Sequence, residues 1–176
     1  FYLKNMSFNC SIFLEDIDIN CTAKNAGGIK KVVLGLQRDL NLDIDAVDET
    51  LVNGLQFLNT VVFSHNNKDA TTSFVESKST SNGLGVITTD IIVRLPLLDR
   101  KMNKIDYMSR RSDIVCLLYH NNGSITLSGW MDGLTMNYSA ASGARTGELS
   151  YVDVTLTAES WIASLVIEDE SIIDFD

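Results

Sequence analysis

The residues of this chain best suited to proton transfer, nucleophilic attack or metal ligation are two histidines and three cysteines. His65 falls in the polar turn His65-Asn66-Asn67-Lys68-Asp69, and His120 opens the turn His120-Asn121-Asn122-Gly123. No Ser-His-Asp or Cys-His nucleophile pattern accompanies either, so both read as turn residues rather than general bases. Cys10, Cys21 and Cys116 lack Cys-x-x-Cys spacing and share no ligand spacing with the histidines, which argues against zinc. They read as reduced thiols, with a Cys10–Cys21 pair as the alternative because both lie in one strand-like segment. Gly27-Gly28 lacks the third glycine and the following helix of a phosphate-cradling loop. Asp39, Asp43, Asp45, Asp48 and Glu49 crowd one acidic loop, without the central glycine and terminal glutamate of a calcium frame. Among 23 acidic residues some pair always suits glycoside hydrolysis, so that signal is empty. The sequence assigns no catalytic residue, no cofactor and no metal.

The elements that would position any site are organised around Leu84 to Trp130. Val86, Ile87, Ile91, Ile92, Val93 and Leu95 favour a strand, which Pro96 stops. Leu98, Met102, Ile105 and Met108 then follow helical spacing, predicting one amphipathic helix over about 97–111 that packs on the core. Ile114 to Tyr119 reads as a short buried strand, and Asn122-Gly123 as a two-residue hairpin turn into Ile125, Leu127 and Gly129.

Elsewhere the pattern is strands and turns. Phe1 to Cys21 reads as an N-terminal arm, and Ile29 to Leu36 as a strand launched by Gly27-Gly28. Leu55 to Phe63 reads as a strand that turns at His65 and returns through Ser73 to Glu76. Lys78 to Gly85 reads as a loop, and Ala140 to Gly147 as a hairpin loop between Leu134–Tyr138 and a long strand from Leu149, which Ile162 to Ile167 could extend. Trp130, beside Met131 and Asp132, offers a stacking platform or caps a core edge. With no linker or repeat, 176 residues predict one mainly β (α+β) domain. Residues 1–21 form the arm, 22–167 an antiparallel β-sandwich or barrel of eight to ten strands with one flanking helix, and 168–176 an acidic tail that hangs free or docks on a basic partner.

A net charge of −9 argues against tight nucleic-acid binding, and no signal peptide or membrane anchor is evident. The charge is uneven. Arg94 to Arg111 carries six basic and two acidic residues, a local +4, leaving −13 on the rest. That asymmetry suits self-association, with Arg100, Lys101 and Lys104 on the helix facing Asp43, Asp45 and Asp48 of another subunit.

Three pieces occur in a fixed order: Cys21 followed by Gly27-Gly28-Ile29-Lys30-Lys31-Val32-Val33-Leu34; the strand–helix–strand unit ending in Asn121-Asn122-Gly123-Ser124-Ile125-Thr126-Leu127-Ser128-Gly129; and Ser142-Gly143 followed by Tyr151-Val152-Asp153-Val154-Thr155-Leu156-Thr157-Ala158-Glu159. Together, over about Cys21 to Leu165, they resemble structural proteins of tailed bacteriophages, notably the crAss-like phages, and the wider tail tube fold shared with the inner tube of type VI secretion. The resemblance implies a virion protein that oligomerises as a hexamer or dodecamer into a ring of the tail tube or the portal-to-tail connector. Such a ring meets neighbouring tail or portal proteins and lets DNA pass without binding it tightly. The acidic 39–49 loop and the 168–176 tail depart from the tube pattern and would mark a connector ring. The rival expectation is a monomeric β-sandwich module binding a ligand or carbohydrate.

Overall fold

In the computed structural model the chain builds three stacked sheets, described for residues 28–45, 52–58, 60–64, 71–81, 84–96, 102–141, 151–167 and 169–175. The arm 1–21, Cys10, Cys21, Asp48, His65, Leu98, Arg100 and Lys101 lie outside the described residues. The strands are β1 (Ile29–Leu36), β2 (Leu40–Ile44), β3 (Val52–Phe57), β4 (Val61–Ser64), β5 (Thr71–Ser81) and β6 (Leu84–Pro96). After the helix α1 (Met102–Ser109) come β7 (Ile114–His120), β8 (Ile125–Ser128), β9 (Thr135–Ala141), β10 (Tyr151–Ser160), β11 (Leu165–Ile167) and β12 (Ile173–Phe175). They order as β11-β8-β7-β1-β4, β5-β6-β10-β9 and β12-β3-β2. Every pairing is antiparallel except β12 with β3. The fold is mainly β with one helix and belongs with the sandwiches, since among the described residues no sheet closes on itself.

The five-stranded sheet is the middle layer. Ile114, Cys116 and Leu118 of β7 join one core with Val32 and Leu34 of β1, and with Ile91, Val93, Val154 and Leu156 of the four-stranded sheet. Val115, Leu117 and Tyr119 point the other way, into a second core with Leu55 and Phe57 of the three-stranded sheet. A strand covered on both faces has no polar side to alternate with, which is why β7 reads as an unbroken apolar run. Gly35 sits where the third layer comes closest: a Cβ there would lie 2.6 Å from the Phe57 ring. On the first core, Ile105 and Met108 of α1 are buried and Met102 is partly so, as their spacing predicts. The helix is shorter at its C-terminal end than expected, because Arg110 begins a turn.

Several expectations are corrected. The 39–49 loop is in part a strand: Leu40, Leu42 and Ile44 of β2 pack on the second core while Asn41 and Asp43 face solvent. Leu55 and Val61 belong to strands in different sheets, and β5 returns along β6 rather than along β4. Lys78 to Gly85 is no loop. The β5–β6 ladder continues to Ser81↔Leu84, leaving two residues, Asn82 and Gly83, whose types favour a two-residue hairpin connection. The β7–β8 turn instead spans three residues. Gly123 N–H donates to His120 O at 3.1 Å, His120 N–H donates to Ser124 O at 2.9 Å, and Gly123 takes φ 97°. That is a type I turn closed by a glycine bulge. Ala140 and Ala141 belong to β9. After Ser160 the chain leaves β10 and crosses to the middle sheet, where β11 pairs with β8. The acidic tail docks on its own chain: Asp169 caps the 3-10 turn Glu170–Ile172, and β12 lies beside β3.

Candidate functional site

Of the residues expected at a subunit interface, Lys104, Asp43 and Asp45 are described, and Lys104 and Asp43 are exposed. They do not meet. Lys104 rides on α1, against the first core, whereas Asp43 lies on the far side of the second.

Lys104 borders an open groove of about 500 Å³ between α1 and the 3-10 turn Gln37–Asp39. Leu36 and Met108 give it an apolar floor, and Arg38, Asp39, Lys104 and Tyr107 line it. Tyr107 stands three residues after Lys104 on the same helix face. Arg111 Nη2 donates to its hydroxyl at 2.8 Å. Hydrogen bonds from Arg111, then from Arg38, hold the phenol below its usual pKa. The one acid among the described lining residues, Asp39, pairs loosely with Arg38 at 3.8 Å. Sequence reasoning found Lys104 but missed Arg38 and Tyr107. The helical spacing of Lys104, Tyr107 and Arg111 was the available signal.

Across the molecule, the outer face of the three-stranded sheet is acidic. Asp43 of β2 and Asp174 of β12 flank a shallow depression with Asn41, Gly54, Gln56 and Ile172. Neither acid makes an ion pair among the described residues, where the pairs are Arg38–Asp39, Arg94–Asp153 and Arg110–Asp106.

The outer face of the four-stranded sheet is rich in hydroxyls. Register places Ser73, Ile92, Thr155 and Asn137 in one row, and Val75, Asp90, Thr157 and Thr135 in the next. Arg94 pairs bidentately with Asp153 at 2.7 and 2.9 Å, which draws that carboxyl below the ordinary range. Val75 and Ile92 remain 56% and 46% exposed, so no layer of this chain's described residues covers the face.

Between the sheets lies a polar clasp that the sequence did not announce. Glu76 of β5 accepts from Ser164 N–H at 3.0 Å, from Ser164 Oγ at 2.6 Å and from Thr89 Oγ1 at 3.3 Å. Since the Ser164 proton goes to Glu76, Ser128 Oγ must donate to Ser164 Oγ at 2.7 Å. The clasp ties β5 to the crossing segment and meets its buried hydroxyls within itself, as a structural joint does.

The other candidates for chemistry are structural where described. Trp130 is half-buried against the second core and donates Nε1–H to Ala163 O at 3.3 Å, so it caps a core edge. Cys116 is wholly buried, and desolvation pushes its thiol pKa far up, leaving it unreactive. No group of three or more His, Cys, Asp or Glu among the described residues is placed to hold a metal. No helix among them is long and apolar enough to cross a membrane.

His120 shares a 2.9 Å hydrogen bond with Thr126 Oγ1 and meets the Phe74 ring edge-on. Burial lowers its pKa, so the folded state prefers the neutral imidazole. A histidine with a depressed folded pKa contributes stability above its unfolded value, near 6.5, that is lost as pH falls through the folded value. Denaturant melts between pH 7.5 and 5 should therefore show stability falling with acid, and His120→Gln should flatten that part of the slope. An unchanged slope in the variant would assign the acid sensitivity elsewhere.

No family model, no curated protein and no solved structure matches the chain, so its function is read from these residues and surfaces.

Proposed function

We propose that this protein is a non-catalytic structural subunit that closes into a ring, of the tail tube or portal-to-tail connector kind, in the tail of a bacteriophage virion. One observation carries the ring: among the described residues the four-stranded sheet ends in two strands, β5 and β9, that each pair on one side only. Each step across β5-β6-β10-β9 is antiparallel, so β9 runs opposite to β5. Laying β9 of one copy beside β5 of the next continues the antiparallel ladder. Such a contact is heterologous and closes by rotation. It also pairs the eleven-residue strand β5 on a side where no described strand lies.

The surface that the closed sheet would turn toward a channel suits passage rather than capture. Its described charges are Arg94, Asp153, Asp90 and Glu159, a net −2, with Arg94 already held by Asp153. A hydroxyl-rich, mildly acidic wall releases few counterions from DNA and lets it slide. The ordered resemblance to tail tube proteins supplies the virion setting, including neighbouring tail or portal proteins as further partners.

Two proline variants test the edge. Along an antiparallel edge strand, alternate N–H groups face the neighbour and the open side. One of Ser77→Pro and Lys78→Pro therefore removes a bond to β6, and the other removes only an open-edge donor. The second kind should stay folded yet fail to form rings, measured by native mass and sedimentation, while the wild type assembles. A wild type that stays monomeric at every concentration, or a folded open-side variant that assembles normally, overturns the reading and favours the monomeric binding module.

A further inference from the structure

We infer that the cationic groove between α1 and the Gln37–Asp39 turn is filled, in the assembled state, by the acidic outer face of the three-stranded sheet of a second copy. The inference rests on the reading of this chain as a self-assembling subunit and names a contact beyond the sheet edges. Charge complementarity carries it. The groove presents Arg38, Lys104 and Tyr107 around an apolar floor, with Arg111 bonded to the Tyr107 hydroxyl. Asp39, the one acid among its described lining residues, pairs loosely with Arg38. The opposite surface presents Asp43 and Asp174 without ion pairs among the described residues, beside the half-buried Ile172. Like charges held close on one face disfavour burial unless a partner neutralises them.

The two surfaces belong to different cores on either side of the middle sheet, so they cannot reach each other within one copy. Only a second copy can join them. The contact is then groove to face, never groove to groove, and has the same head-to-tail character as the β5–β9 contact. Tyr107, 51% exposed, and the side chain of Arg38, 54% exposed, are large planar groups available to cover Ile172 and bind carboxylates. Exposed charge pairs of this kind set register and partner choice more than affinity.

The test uses the full chain, with assembly followed by sedimentation and native mass across concentration, at low and high salt. Far-UV dichroism and melting verify that each variant is folded. Arg38→Glu with Lys104→Glu should raise the concentration needed for assembly about tenfold or more at low salt, and Asp43→Lys with Asp174→Lys should do the same. All four changes together should bring assembly back toward wild type, because the charges are exchanged rather than lost. If the wild type assembles and either double reversal leaves assembly unchanged, the groove contact is wrong and the ring reading stands. The contact is likewise refuted if both reversals impair assembly but the fourfold variant does not recover. A wild type that never assembles removes the ring reading and this contact with it.

Discussion

Phe57→Ala should cost about 4 kcal/mol and lower the melting temperature by roughly 8–16 °C. The side chain is wholly buried, at 0% exposure. It lies over Gly35 of the middle sheet and stacks on Phe175 with ring centroids 6.4 Å apart. Gly35, directly beneath the ring, has no side chain with which to fill the space. The cavity should therefore persist and loosen the third layer first. Amide exchange should speed up in β2, β3 and β12 while β7 stays protected until global unfolding. Phe57→Leu, which keeps much of the volume, should cost roughly half as much. An unchanged melt in Phe57→Ala would mean that the three-stranded sheet contributes little to holding the chain together.

Ile105→Ala should cost about 3 kcal/mol, or roughly 6–12 °C in melting temperature. Ile105 is 1% exposed and is the deepest residue of α1 in the first core, with Met108 at 5%. The helix has only eight residues, too few to stand alone, so packing rather than propensity holds it. Tyr138 on β9 adds a hydroxyl bond to Asp106 at 3.2 Å, which an exposed site makes weak. The same variant should weaken assembly if Lys104 and Tyr107 belong to a contact, since α1 positions both. A melt indistinguishable from wild type would place the Ile105 stripe against water or a neighbouring subunit.

The strand–helix–strand unit from β6 to β8 was legible because its period changes sharply, from strand to helix and back, with Pro96 and Gly123 as punctuation. The division into three sheets was not. Which sheet a strand joins depends on partners far along the chain, and β7, apolar without a break from Ile114 to Leu118, carries no sign of which face meets which layer. β2 was hidden by its charges: Asp39, Asp43 and Asp45 suggested a loop, although Leu40, Leu42 and Ile44 alternate cleanly beneath them. β5 was half hidden, because Ser77 to Thr80 are polar and exposed on a ribbon whose partner supplies the pairing. At the candidate contact, Lys104 and Asp43 could be named from charge pattern alone. Arg38 could not, since it reaches the groove through a turn after β1, and Asp174 was legible only as part of the acidic tail, its place beside Asp43 coming from the docking of β12.

The position of β1 has a consequence for how the chain is made. Its backbone is bonded to β4 on one side and to β7 on the other. β7 starts at Ile114, about 80 residues after β1 ends, so at roughly 5–20 residues per second of synthesis β1 waits about 4–16 s for its second neighbour. For most of that interval β1 has at most β4 beside it, so Val32, Val33, Leu34 and Leu36 lack the layers that bury them, and pairings across such sequence distances form slowly even once both partners exist. A strand bonded along both sides in the finished subunit is thus left with an open edge, and exposed to aggregation, on the ribosome.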